Sequence, residues 1–303
     1  MTISEYNTEV QSILQELKVK NPSREQYGAH YTRSDVPGLL LLSKDKNLMR
    51  QYDGDYMNDP EEGRYLVDIM MEAAEACDHS CKRTFVGLLR ELRNSRLLYS
   101  AYNKASFISC WTVVKFKESD WRSSDSLNHW RFYGDDGKGA CMMIPLSHLV
   151  TIFPHSLYNV LYGRSLQGGG TSAALRPITR LFNALKNRFN ACRGTPLNAK
   201  SDLQKIIEAT HPLLFLFKSA DYASEKEVRS IIHTSSYSKS EKVELDDRVP
   251  KRAFIPSKDG LISKDTIIHF GPKADPNLAI ESLALANLLG TKIRTHISTK
   301  KYR

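Results

Sequence analysis

Across 303 residues no stretch approaches the roughly 18–20 consecutive apolar side chains needed to cross a bilayer. The longest apolar runs, Gly38–Leu42 and Pro212–Phe217, are the size of core strands. The opening Met1-Thr-Ile-Ser-Glu-Tyr-Asn7 has neither a basic cluster nor an apolar segment of the secretory kind, and the closing Lys300-Lys-Tyr-Arg303 carries no lipidation box. The expectation is a chain with no membrane span, cytoplasmic where it is made, with export by a signal-less route left open. Cysteine is scarce and odd in number, at five, which argues for buried thiols rather than a disulfide framework. Cys77 and Cys81 flank His79, but no second ligand pair exists to complete a zinc site, so no metal is expected. Also missing are a phosphate-binding Gly-x-x-x-x-Gly-Lys-[Ser/Thr], a dinucleotide Gly-x-Gly-x-x-Gly after a strand, His-Glu-x-x-His and Gly-x-Ser-x-Gly. Gly134-Asp-Asp-Gly-Lys-Gly139 is rich in glycine, but its two aspartates oppose an anion cradle, and it reads as a turn.

What is present is ordinary for a globular protein: 41% hydrophobic and 25% charged residues. The 43 Lys and Arg outnumber the 34 Asp and Glu, and the excess is concentrated. Residues 151–200 hold seven basic side chains and no acidic one. Such a segment would attract phosphates or nucleic acid, or it is a solvated surface.

Apolar spacing predicts an amphipathic helix over Glu5–Lys18, with Val10, Ile13, Leu14 and Leu17 inward. Asn58-Asp59-Pro60-Glu61-Glu62 has the form of a helix start, with Asp59 as cap, Pro60 in the first turn and Glu62 reaching back. The helix it opens would run to about Cys77, and a second would cover Thr84–Leu98. Strands are expected at His30–Thr32, Ser106–Val114, Ala140–Ile144, Pro212–Ser219, Glu227–His233, Thr266–Phe270 and Lys292–Ile297, with short helices at Ser126–Phe132 and Pro276–Leu289 and a loop over Ser235–Lys251. Gly168-Gly-Gly170 is a flexible joint before a helix lined by Leu175, Ile178, Leu181, Phe182, Leu185 and Phe189. The fold class that follows is α+β: one domain over 1–303, its core at about 27–300. A mixed, mostly antiparallel split sheet of about six to eight strands is flanked by helices, with a basic helical insertion at 164–200.

The most informative segment is Tyr222-Ala-Ser-Glu225-Lys226-Glu227-Val228-Arg229. On an extended backbone Glu225 and Glu227 point to the same side. Two like charges at that spacing call for a raised pKa or a cationic partner. The plainer alternative is an exposed strand edge blunted by charge. Earlier in the chain come His30-Tyr31-Thr32 and Ser106-Phe-Ile-Ser109, each ordinary alone. Trp130 and Tyr133, three apart, share a helical face.

Taken jointly, these segments resemble a widespread bacterial family of unknown function. Its marks are a His-Tyr-Thr start, an Asn-Asp-Pro-x-Glu segment, a serine strand, Trp-x-x-Tyr before a glycine and strand, and Tyr-x-x-Glu-x-Glu-x-Arg. The likeness spans about residues 27–300. A more distant resemblance is to ADP-ribosyltransferases, whose split sheet presents an Arg or His strand, a Ser strand and a Glu-x-Glu strand around NAD, in the order seen here. Glu225-Lys-Glu227-Val228 is similar to the Glu-x-Glu-Val of their arginine-modifying branch, and His30-Tyr31-Thr32 to the His-Gly-Thr of the diphtheria-toxin-like branch.

The resemblance implies NAD as substrate, with ADP-ribose passed to a macromolecular acceptor or to water, in a toxin, effector or defence protein. Glu227 would bond a ribose hydroxyl and stabilise the oxocarbenium-like state, and Glu225 would orient or deprotonate the acceptor. His30 would bond the adenosine ribose, Thr32 hold the nicotinamide amide through its backbone, Tyr31 or Tyr133 stack on nicotinamide, and Ser109 support Glu227. The alternative is a nucleotide- or nucleic-acid-binding regulatory module working through 151–200 without catalysis. A metal-dependent nuclease ranks below both, because Lys226 and Glu227 stand in the wrong order for its Glu-x-Lys.

Overall fold

In the computed structural model of the chain, Thr2 opens helix α1 (Ile3–Leu17) with a reciprocal cap. The Glu5 N–H donates to Thr2 Oγ1 at 3.2 Å, and the Thr2 N–H donates to Glu5 Oε2 at 2.7 Å. Strand β1 (Gln26–Thr32), the short helix α2 (Val36–Leu42), β2 (Leu48–Asp53), helices α3 (Arg64–Glu75) and α4 (Lys82–Asn94) and the long strand β3 (Ala105–Lys115) follow. Then come α5 (Leu127–Phe132), β4 (Ala140–Pro145), α6 (Leu146–Ile152), β5 (Leu157–Asn159) and β6 (Leu161–Gly163). Helices α7 (Arg176–Asn190) and α8 (Pro196–Thr210) lead to β7 (Phe217–Ser219), β8 (Glu227–Thr234), β9 (Glu244–Leu245), β10 (Ala253–Gly260), β11 (Ile267–Phe270), α9 (Asn277–Leu288) and β12 (Arg294–Ile297). The described residues are all except 43–47, 58–60, 62, 96–104, 118–126, 155, 164–175, 193–195, 235–241 and 300–303.

The fold is α+β, with a mixed, mostly antiparallel sheet. Among the described residues ten strands form it, in the order β12-β11-β4-β1-β3-β2-β10-β9, with β8 on β3 and β5 on β8. Only β11 and β12 run parallel within it. The organising strand is β3. Its β8 edge is paired from Ala105 to Thr112, so β1 and β2 must share the other edge. β1 takes Thr112 to Lys115, and β2 takes Phe107 and Ile108. Between them β1 leaves the ladder after Ala29, and His30 Nδ1 bonds the Cys110 carbonyl oxygen at 3.0 Å. A side chain thus replaces the backbone rung where the sheet divides.

Side-chain alternation assigns two faces to this sheet. Ile108 and Ile231 join a large apolar cluster with the inward sides of α1, α3, α4, α7 and α8. Tyr27, Ala29, Cys141 and Met143 continue that face under Trp130 of α5. The opposite face carries Trp111, Val228, Met142 and Ile144 beneath α6, and Ala140, Ile268 and Phe270 beneath α2 and α9.

Several expectations need correction. The run ending in Leu42 is a helix, not a strand, with Leu39 and Leu42 outside and Leu41 inside. Pro212–Phe217 is mostly turn: His211–Leu213 close a 3-10 turn, Leu214–Leu216 turn and bend, and only Phe217–Ser219 extend. The helix expected from Asp59 starts at Arg64, behind Gly63 in the left-handed region at φ 74°; residues 58–60 and 62 lie outside the described ones, as does the Gly168–Gly170 joint. The sheet exceeds six to eight strands because β2, β5 and β10 carry mixed polarity. Ser235–Lys251 includes the edge strand β9, paired with β10. Of the basic 164–200 segment, α7 lies in the main core, with Ile178, Leu181, Leu185 and Phe189 fully buried.

Candidate active site beside β8

β8 begins with a backbone reversal. Ser219–Glu225 forms a capped 3-10 turn, and Lys226 then adopts the left-handed conformation at φ 47°, ψ 49°. Glu225 and Glu227 are therefore not neighbours along one extended strand. The reversal turns both carboxylates toward the same ammonium: Lys218 Nζ donates to Glu225 Oε2 at 2.7 Å and to Glu227 Oε2 at 3.4 Å. The like charges two residues apart do have a cationic partner, as their spacing required.

A second cation completes the cluster. Arg229 has no exposed surface. It donates to Glu227 Oε2 through Nη2 at 2.6 Å and Nε at 3.2 Å, and to the Phe215 carbonyl through Nη1 at 2.9 Å. Two carboxylates and two cations thus share one water-poor spot, where each charge has an opposite charge beside it. The Tyr133 hydroxyl donates to Glu225 Oε1 at 2.5 Å. Burial, and then that carboxylate, hold the phenol well above its usual pKa, which keeps it a donor. The Tyr162 oxygen accepts the Glu227 N–H at 2.8 Å, and burial and Glu227 raise this phenol as well. Lys218 also lies over the Tyr222 ring at 4.7 Å.

Among the described residues, every donor to the Glu227 carboxylate reaches the same oxygen. Among the described residues Oε1 takes no hydrogen bond, and Glu227 lines a cavity of about 730 Å³. That volume suits a small-molecule or cofactor ligand. Tyr31, Thr112, His129, Asn159 and Tyr162 line the same cavity. Tyr31 and His129 stack with ring centres 5.3 Å apart and planes 17° from parallel. Among the described residues neither His129 nitrogen has a hydrogen-bond partner. Burial lowers its pKa, opposed by the Glu225 charge, so the ring is neutral at pH 7.

The expected site residues divide between the two faces. Tyr31, Tyr133, Glu225 and Glu227 come together. His30 and Ser109 lie on the far face of the sheet, because β3 pairs Thr112 with Glu227 and Ser109 with Ser230, and alternation sends these pairs in opposite directions. Ser109 Oγ accepts the Trp111 indole N–H at 3.1 Å, rather than approaching Glu227. His30 packs on Trp111 at 5.1 Å, and burial lowers its pKa. Thr32 pairs with Ala140 at the end of β1, where a side chain at Gly139 would collide with the Thr32 carbonyl at 2.2 Å.

Lys218, Tyr162 and His129 were not among the expected site residues. Lys218 had a faint signal, a lone lysine closing the apolar run at Phe217; a buried lysine demands an acidic partner. Nothing in the sequence distinguishes His129 from its neighbours. Compared with known proteins, the chain matches no protein-family model, no curated protein and no solved structure.

Proposed function

We propose that this cavity binds NAD and that Glu227 promotes cleavage of its nicotinamide–ribose bond, with ADP-ribose passing to a macromolecular acceptor or to water. The carrying observation is the asymmetry of Glu227. Its Oε2 is anchored by Lys218 and Arg229, while among the described residues Oε1 is without a donor at the wall of a cavity of ligand size. An anchored carboxylate with one open oxygen is preorganised to bond a ribose hydroxyl and to offset positive charge on the sugar. As the C1′–N bond breaks, its electron pair leaves with nicotinamide, and the sugar is left as an oxocarbenium ion. The acceptor oxygen or nitrogen then attacks C1′ and loses a proton to Glu225, whose Oε1 is hydrogen-bonded by Tyr133 in the resting site. The stacked Tyr31–His129 pair supplies an aromatic wall for a flat ring such as nicotinamide. His30, Thr32 and Ser109 add no support to this site, since His30 and Ser109 face the other side of the sheet.

The alternative, a nucleic-acid surface over 151–200, gains less from the structure. Arg180 is held by Glu9 at 2.8 Å and Glu16 at 2.7 Å, and Arg188 by Asp202 at 3.4 Å. Two of the seven basic side chains are thus spent within the fold.

The test is a thermal-shift titration with NAD and with ADP-ribose, beside a chromatographic assay for released nicotinamide. NAD should raise the melting temperature, by mass action at roughly 2.7 kcal/mol for a hundredfold excess over Kd. Glu227→Gln should keep the fold and lose at least about a hundredfold in nicotinamide release. No shift at millimolar NAD, or full turnover in Glu227→Gln, would remove the proposal.

A further inference from the structure

On the far side of the molecule from this cavity, helix α9 runs along β11 and β12 and packs against α2. Its inward positions, Ala279, Ser282 and Ala286, are small and buried. Its outward positions carry large apolar side chains beside Asn277, Glu281 and Asn287. Ile280 is 67% exposed and Leu288 83%, with Leu283 and Leu289 also open to solvent. Glu281 is the only charge in Asn277–Leu288, so the helix is apolar nearly all round. A helix of that kind is normally covered on every side. Helix α2 extends the same surface: Val36–Leu42 has no charge, Leu39 and Leu42 are more than half exposed, and a side chain at Gly38 would touch Leu285 of α9 at 3.9 Å.

These six side chains, Leu39, Leu42, Ile280, Leu283, Leu288 and Leu289, together present on the order of 600 Å² of apolar surface. That is at the upper end of the largest patch on a monomer and close to the roughly 800 Å² that each partner buries in a stable interface. Ile280, Leu283, Asn287 and Leu288 recur at helical spacing, which forms a straight ridge suited to an antiparallel copy of itself.

We infer that the α2–α9 face is the interface of a symmetric homodimer, with α9 crossing α9 of a second copy about a two-fold axis. An isologous contact needs a self-complementary patch, and Ile280, Leu283, Asn287 and Leu288 form an uncharged ridge, with exposed Glu281 beside it toward Gly38 of α2. The site beside β8 plays no part in this interface, so the two proposals stand or fall separately.

The test is light scattering coupled to size exclusion on the full chain, from about 1 to 100 µM, a range that brackets Kd values typical of modest dimers. The expected result is twice the mass of a single chain at the upper end. The double variant Ile280→Glu/Leu288→Glu should have the mass of one chain, with an unchanged circular-dichroism spectrum. Val249→Glu, at a fully exposed position away from the patch, should remain a dimer. A wild type that keeps the mass of one chain at 100 µM overturns the inference, and flotation of that monomer with phosphatidylcholine vesicles would assign the face to a lipid surface. A dimer that survives the double variant, or a second one at Leu39→Glu/Leu283→Glu, overturns it as well.

Discussion

The two faces of the β3–β8 pair bury carboxylates in different ways. On the cavity face, Glu225 and Glu227 are matched by Lys218 and Arg229, and every charge has an opposite within 3.4 Å. On the far face, Gln51 accepts the Ser230 hydroxyl at 2.5 Å, while Asp53, almost fully buried, has no cation among the described residues. Asp53 Oδ1 takes the Asp55 N–H at 2.9 Å; Oδ2 and Gln51 Nε2 have no partner there. Burial pushes the Asp53 carboxyl up to about 6. One face pairs its carboxylates with cations, and on the other burial raises the pKa of the carboxyl. Paired charges held rigid beside a cavity can act on a ligand. An unpaired acid sealed in the sheet only makes stability depend on pH.

The largest expected effect comes from breaking the pairing. Arg229→Met leaves Glu227 short of its main partner in a buried place and should cost about 3–5 kcal/mol in urea denaturation. The double variant Arg229→Met/Glu227→Gln should recover a large part of that loss, because no carboxylate is then left underpaired. A loss under about 1 kcal/mol for the single change would mean the cluster is hydrated and the contrast with Asp53 is false.

Next in size is Asp53→Asn. The folded pKa of about 6 lies above the unfolded 3.8, so the native state holds the proton more tightly. Stability from this group is full below about pH 4 and is lost as pH rises through 6. At pH 8 the loss approaches about 3 kcal/mol, at roughly 1.4 kcal/mol per pKa unit. Asn cannot ionise and can still accept the Asp55 N–H, so Asp53→Asn should be more stable than wild type at pH 8 and equal at pH 4. An equal gap at both pH values would contradict a raised Asp53 pKa.

The smallest effect concerns the reversal found only on the cavity face. Lys226 is exposed and left-handed, a conformation costing roughly 1–2 kcal/mol for a residue with a side chain. Lys226→Gly should gain up to about 1 kcal/mol after the extra freedom of glycine in the unfolded chain is counted. Lys226→Val should lose a comparable amount. Equal stabilities would show that the reversal is not what positions Glu225 and Glu227.

Local pattern determined much of this protein. The 3.6-residue spacing of Val10, Ile13, Leu14 and Leu17 places α1, although the Thr2–Glu5 cap moves its start to Ile3. The β-branched and aromatic run Ser106–Val114 places β3, and Thr266–Phe270 and Pro276–Leu289 place β11 and α9 to within a residue or so. Leu39–Leu42 misled, because a short apolar run has no period with which to tell helix from strand. The glutamate pair and its need for a cation or a raised pKa were legible in Glu225-Lys-Glu227, while the bond of Tyr133 to Glu225 was not. Which cation answers, and which face each strand residue occupies, was not. Tyr133 meets Glu225 across 92 positions of sequence, and Ser109 is turned from Glu227 by the register of β3 on β8. Periodicity records which side of its own element a residue faces. The partner it meets there depends on how distant elements close on one another, and a buried charge accepts whichever opposite charge that packing brings within reach.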